Sequence, residues 1–395
     1  MALSRRRFVQ TAGIGAGAAL TSNIWGRGRE NSVWSPFEAH LEAVDKGVIC
    51  IASNENPVGP GKKVLDTLRT LLEGGAKPGR YSNQTGELTQ AICEHFKVKP
   101  ENVLLSEGST EILRAATQVF TAKTKPLVGT IPTYEECTQV AELIGNPVRG
   151  VKLSSEFKID IDPMLAAAKG AGLVFYCNPN NPTATYVGAK ATRDFIAKLN
   201  SASPDTTILV DEAYFDYVTD PDHETHVPLA VDNPRVIVAR TFSKAYGMAG
   251  LRQGYAIAHA DTIRKMRPWV GSSGTGSLNV FGMAAATAAI QQDADGAFTK
   301  NERNRNKAVR DFAMKWFNDR NMKPTDCQAN FMFVDIGTPA KAFRDACRAK
   351  GVMVARDFPP FEKTHARITL GTMEEMTKAV QVFGEVLGKK TTTAA

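Results

Sequence analysis

The chain has 395 residues, 43% apolar and 23% charged, an ordinary globular composition with room for one large domain and a smaller one. Its formal charge of +7 would suggest a nucleic-acid binder, but Arg5, Arg6, Arg7, Arg27 and Arg29 all precede the first acidic residue, Glu30. The remainder carries 43 basic against 41 acidic residues, which leaves no basic surface for nucleic acid.

The basic head contains "SRRRFVQ" (Ser4–Gln10) followed by "TAGIGAGAALTSNIW", a run too short and too weakly apolar to span a bilayer. Residues 1–29 resemble a twin-arginine (Tat) signal, which implies export of an already folded protein to the periplasm or beyond, and a cytoplasmic protein if the signal does not function. No other stretch approaches ~20 apolar residues, so the mature protein is expected to lack a stable membrane span. Residues 30–60 read as an extended arm ending in the turn "SNENPVGPG" and joining the small domain.

Residues 61–295 are expected to form the large domain. "NVLLS" is strand-like, and "STEILRAATQVF" opens on hydroxyl residues with Ile112, Leu113, Ala116 and Phe120 at helical spacing. Then come strand "LVGT", helix "YEECTQVAELI", strand "GLVFYC", helix "ATRDFIAKL", and strands "TTILVDEAYF", "RVIVART" and "GYAIA". Strands alternating with helices predict an α/β fold, a mostly parallel sheet covered on both faces, with ligands at the carboxyl ends of its strands. Residues 296–395 read as a smaller α+β domain. It holds the charged helix "AFTKNERNRNKAVRDFAMKWFNDR", then "ANFMFVDI", "AKAFRDACRAK", "VMVARD", "ARITLG" and a last helix, "MEEMTKAVQVFGEVLG".

The six cysteines are scattered without a C-x-x-C pair and read as core thiols. "HETH" (His223–His226) reads as loop surface, and no metal site is expected.

Four polar motifs fall at predicted strand ends: "SEGSTEIL", "CNPNNPTAT", "DEAYFDY" and "TFSK". In order and position, "NPNNPT", "DEAYFDY", "TFSKAYGMAGLRQGYA" and "ARITLGT" resemble the fold-type I pyridoxal-phosphate enzymes, specifically the class I/II aminotransferases of the histidinol-phosphate aminotransferase branch. The resemblance covers about residues 50–388. It implies a homodimer with pyridoxal 5'-phosphate (PLP) as cofactor and amino-group transfer between an amino acid and a 2-oxo acid.

The resemblance also assigns roles. Lys244 is the Schiff-base amine and proton-transfer base, and Asp211 the carboxylate at the cofactor's ring nitrogen. Asn181 and Tyr214 serve the cofactor's phenolic oxygen. Ser109 and Thr110, at a helix start, form the phosphate cradle with Ser243 and Arg252. Tyr134 stacks on the cofactor ring, Arg367 grips the substrate's anionic end, and Arg356 and Asn56 lie near the substrate. Two departures stand out. Val58 replaces the tyrosine of "NENPYGP", which reaches the partner subunit's cofactor in the family, and Tyr81 is a candidate to replace it. Ala184 replaces the glycine of "NPNNPTG", where positive φ is expected. These motifs serve equally a decarboxylase or other lyase, a racemase, or histidinol-phosphate aminotransferase proper. The expected activity is transamination of an ordinary amino acid by an exported enzyme.

Overall fold

A computed structural model describes residues 47–75, 79–81, 85–271 and 278–388. The Tat-like head and the arm up to residue 46 lie outside them. A short strand, β1 (Ile49–Ile51), precedes the main sheet. Seven strands then follow: β2 (Val103–Ser106), β3 (Leu127–Ile131), β4 (Val148–Lys152), β5 (Leu173–Cys177), β6 (Thr207–Asp211), β7 (Val236–Thr241) and β8 (Gly254–Ala258). They form one sheet in the order β2-β8-β7-β6-β5-β3-β4. β8 runs antiparallel to both its neighbours, and every other pairing is parallel.

The sheet is buried on both faces because side chains alternate along each strand. Val174, Tyr176, Ile208, Val210, Val236 and Val238 join one core, with helices Thr85–Phe96, Ala189–Ala202 and Val280–Gln292. Leu173, Phe175, Leu209, Ile237 and Ala239 join the other, with helices Ser109–Phe120 and Glu136–Leu143. This is the expected α/β layering.

The sequence pattern carries the strand "TTILVDEAYF" to Phe215, but β6 stops at Asp211. There the Asp211 carboxylate accepts the Ala213 N–H at 3.1 Å, and Phe215 N–H bonds the Glu212 carbonyl, so the chain turns off the sheet. β4, the edge strand, was not marked by any apolar run: its sequence is "VRGVK", with mostly exposed side chains.

Downstream, the helix Ala297–Asn318 leads to an antiparallel sheet of β9 (Lys323–Pro324), β10 (Phe331–Asp335) and β12 (His365–Thr369), in the order β12-β10-β9. β11 (Val352–Val354) is shorter than "VMVARD" suggests. Arg367 sits opposite Phe333 on β12. The described residues from Ile51 onward belong to one compact unit.

Candidate active site

The loop after β7 carries Lys244. Gly247 N–H bonds the Lys244 carbonyl at 2.9 Å and Met248 N–H bonds that of Phe242 at 3.1 Å, which folds the loop back under the strand end. Gly247 has φ +66°, and a Cβ there would lie 2.3 Å from the Gly59 carbonyl carbon, so this turn and the "NENPVGPG" turn meet backbone to backbone. The Lys244 Nζ donates to the Asn54 carbonyl at 3.1 Å and lies 5.4 Å from the centre of the Tyr214 ring. Burial, with Arg367 and Arg252 nearby, lowers this amine to about 8.

Asp211 ends β6 and is 3% exposed. Its Oδ1 accepts the Ala213 N–H, while Oδ2 has, among the described residues, only the Cys177 thiol, at 3.9 Å. Burial therefore raises the carboxyl to about 6, against which the Ala213 bond and the Lys244 charge act in the opposite direction. A buried carboxylate this short of donors suits a ligand with a cationic N–H.

Helix Ser109–Phe120 opens after Gly108 (φ 72°) with no side-chain cap, so its first N–H groups are unclaimed by its own cap residue. Arg252, in the left-handed region at φ 52°, reaches this point. A Cβ on Gly108 would lie 2.4 Å from Arg252 Nη2, and one on Gly254 would lie 2.4 Å from Ser109 N. Two glycines thus let a guanidinium and a strand press against a helix start. Arg252 Nη1 also reaches Ser243 Oγ at 3.4 Å, and the Tyr134 hydroxyl bonds the Thr110 side chain. Ser109, Thr110, Tyr134, Ser243 and Arg252 are thus brought together, a grouping that could receive a phosphate.

Arg367 is 9% exposed and, among the described residues, forms no ion pair with a carboxylate. Its Nη1 donates to Asn181 Oδ1 at 2.8 Å and its Nη2 to the Ala52 carbonyl at 2.7 Å, while Nε is buried without a partner. Burial lowers it to about 10, offset in part by Tyr214. Asn181 thus touches Arg367, and Tyr214 accepts from Asn54 Nδ2 at 3.0 Å. Arg356 is half exposed and pairs with Glu135. Asn56 is turned inward: its Nδ2 donates to the Ala245 carbonyl at 2.9 Å and its Oδ1 accepts the Val58 N–H at 3.0 Å, so it shapes the two turns. Tyr81 is 89% exposed.

Three features escaped the sequence reading. Asn54, at φ 56°, links Lys244, Tyr214 and Thr369 through its carbonyl and amide groups. Glu212, behind Asp211, is buried against Arg240 (2.9 Å) and His226. Burial would raise Glu212, but hydrogen bonds from His226 and the Arg240 charge hold it down at about 2. His226 is therefore interior, not loop surface as "HETH" suggests, and its imidazole serves Glu212. Ala184 keeps the expected left-handed turn, φ 59°, despite its Cβ. Cys93, Cys137, Cys177, Cys327 and Cys347 are buried and unbridged, as core thiols should be.

An amine near neutrality, a buried carboxylate short of a donor and a basic helix start together fit a ligand with a carbonyl carbon, a protonated ring nitrogen and a phosphate. PLP has all three. Residues 46–383 match the family described as aminotransferase class I and II. A histidinol-phosphate aminotransferase of Bacillus velezensis is 32% identical over 89% of this chain and 94% of its own length. Histidinol-phosphate aminotransferase 2 of Methylococcus capsulatus is 34% identical over 86% and 90%. Among solved structures, histidinol-phosphate aminotransferase from Sinorhizobium meliloti in complex with pyridoxal-5'-phosphate superposes with a TM-score of 0.79 at 25% identity, covering 92% of this chain and 98% of that one. An aspartate aminotransferase double mutant from Thermus thermophilus shares the fold, with a TM-score of 0.78 at 20% identity over 98% and 100%. The chain belongs to the class I and II aminotransferases, PLP-dependent enzymes that move an amino group between an amino acid and a 2-oxo acid.

Proposed function

We propose that this aminotransferase acts as an exported homodimer on an ordinary α-amino acid and a 2-oxo acid, with histidinol phosphate a poor substrate. The observation that carries the substrate reading is Arg367, a buried guanidinium with no carboxylate partner among the described residues and a free Nε. One uncompensated positive charge matches one substrate carboxylate, held through the planar fork of donors. Histidinol phosphate has no carboxylate and brings a dianionic phosphate instead.

PLP, when bound, supplies the electron sink for a carbanion at the substrate's Cα. Lys244 supplies the amine and takes the Cα proton on Nζ. An amine lowered to about 8 does this near neutral pH, where an ordinary lysine is almost wholly protonated. Asp211 would hold the ring nitrogen of bound PLP in its protonated form by a charge-assisted hydrogen bond. Ser109, Thr110, Ser243 and Arg252 would hold its phosphate, with Tyr134 beside them. Asn181 fixes the Arg367 fork, and Asn54 orients the Tyr214 hydroxyl.

Support for the dimer comes from Val58, Leu65 and Leu72, apolar and 56%, 43% and 64% exposed on one stretch of chain. Support for export comes from "SRRRFVQ", and a cofactor held in a folded site accounts for transport after folding. The test is direct. The PLP-loaded protein is mixed with single amino acids and with histidinol phosphate, and conversion of its absorbance is followed for each, with CO₂ release measured alongside. Histidinol phosphate as the best donor by a wide margin overturns the substrate reading. A variant with lysine at both Arg5 and Arg6 is expected to stay cytoplasmic with cofactor bound, and normal export of that variant overturns the localisation.

A further inference from the structure

Arg367 has a charged neighbour whose own charge is already met. The guanidinium carbons of Arg356 and Arg367 lie 4.5 and 4.7 Å from the centre of the same Phe358 ring. Arg356 Nη1 donates to the Asp357 carbonyl at 3.0 Å, and Nη2 is paired with Glu135. Glu135 directly follows Tyr134, whose hydroxyl reaches Thr110 at the phosphate cradle, so the residue that pairs with Arg356 is the chain neighbour of a residue at the candidate site. The shared Phe358 ring and the Arg356–Glu135 pair thus bring Glu135, Arg356 and Arg367 into one neighbourhood. Counted as charges, the cluster holds two guanidinia and one carboxylate. That leaves room for one substrate negative charge.

We infer that Glu135 is a specificity-determining residue that neutralises Arg356 and so selects substrates with a single carboxylate and an uncharged side chain, against dicarboxylic and phosphorylated ones. The inference rests on the reading of Arg367 as the carboxylate grip. A second substrate anion reaching toward Arg356 competes with Glu135 for that guanidinium. It must displace that carboxylate, and the displaced charge then repels it. The buried Phe358 ring lies under both guanidinia and holds them side by side.

Two non-reacting acids probe this without turnover: propionate, with one carboxylate, and succinate, with two. Their dissociation constants are measured by calorimetry on the PLP-loaded wild type, E135Q, E135A and the double variant E135Q/R356Q. Preparations are matched for cofactor absorbance. Succinate affinity relative to propionate is expected to rise at least tenfold in E135Q and E135A, equivalent to about 1.4 kcal/mol, and to return to the wild-type ratio in the double variant. An unchanged ratio in both single variants overturns the role of Glu135. A rise that survives loss of Arg356 overturns the assignment of the second anion to that guanidinium. Propionate binding that is the same in R367Q as in the wild type strikes instead at the Arg367 grip, and the proposal falls with it.

Discussion

Replacing Arg367 with glutamine should move substrate affinity and fold stability in opposite directions. The guanidinium is buried between Asn181, the Ala52 carbonyl and the rings of Phe331 and Phe358, with no carboxylate partner among the described residues. Burial lowers its pKa well below the ordinary arginine range, to about 10. At about 1.4 kcal/mol per pH unit, the folded protein spends about 3 kcal/mol to keep the group charged. A base whose folded pKa is depressed opposes folding fully below that pKa, and the penalty fades as pH rises above about 10. Glutamine removes the penalty at neutral pH but forfeits about two hydrogen bonds, each worth roughly 0.5–1.5 kcal/mol. R367Q without substrate should therefore melt at or slightly above the wild-type temperature. The carboxylate grip, typically about 2–5 kcal/mol, disappears, so KM for amino donors should rise roughly 30-fold or more. Scanning calorimetry at pH 7.5, with and without propionate, and steady-state kinetics measure both effects. A variant that melts many degrees lower while KM changes less than threefold would show Arg367 to be a structural strut.

Asp211→Asn should stabilise the cofactor-free protein toward higher pH. The Asp211 folded pKa of about 6 exceeds 3.8, so the wild type loses up to about 3 kcal/mol as pH rises from 4 to 7 and the variant does not. Parallel melting profiles over that range would contradict this, and turnover of the loaded variant should fall about 10³-fold. Lys244→Ala should abolish turnover with the fold intact. In the cofactor-free wild type, borohydride trapping of PLP should map to Lys244 with a pH midpoint near 8, and trapping elsewhere refutes the site. Gly108→Ala places a Cβ 2.4 Å from Arg252 Nη2 at a positive φ. It should weaken PLP retention at least tenfold while leaving the Lys244 midpoint in place, and unchanged retention would remove Gly108 and Arg252 from the cradle.

One half of the candidate site was legible because polar residues stand out at strand ends: Lys244, Asp211, Asn181 and Arg252 each follow or flank an apolar run. Helix Ser109–Phe120 was legible to the residue because hydroxyl starters and a helical apolar period agree. Other parts carry no such agreement. Helix Val280–Gln292 is apolar almost all round, so it shows no period, and edge strand β4 exposes most of its side chains. Tyr214 and Phe215 favour a strand, and only the Asp211–Ala213 hydrogen bond ends it. Asn54 and Glu135 were hidden for a different reason. Their meaning lies in partners far along the chain, Thr369 and Arg356, and no local pattern announces a long-range contact.

Asn54 and Thr369 exchange two hydrogen bonds of 2.9 Å across a sequence separation of 315. Synthesis from the N-terminus therefore delivers the Asn54 side chain long before its partner. Asp211, Lys244 and Arg252 are all made earlier, so a chain still on the ribosome can assemble the sheet end that carries them while the cover contributed by Asn54 has nothing to fasten to. The turn that bears Asn54 becomes fixed over Lys244 only once Thr369 has been made and β12 has formed. A transcript truncated before β12 would thus yield a protein with the lysine and its carboxylate but with no latch over them and no Arg367 beside them.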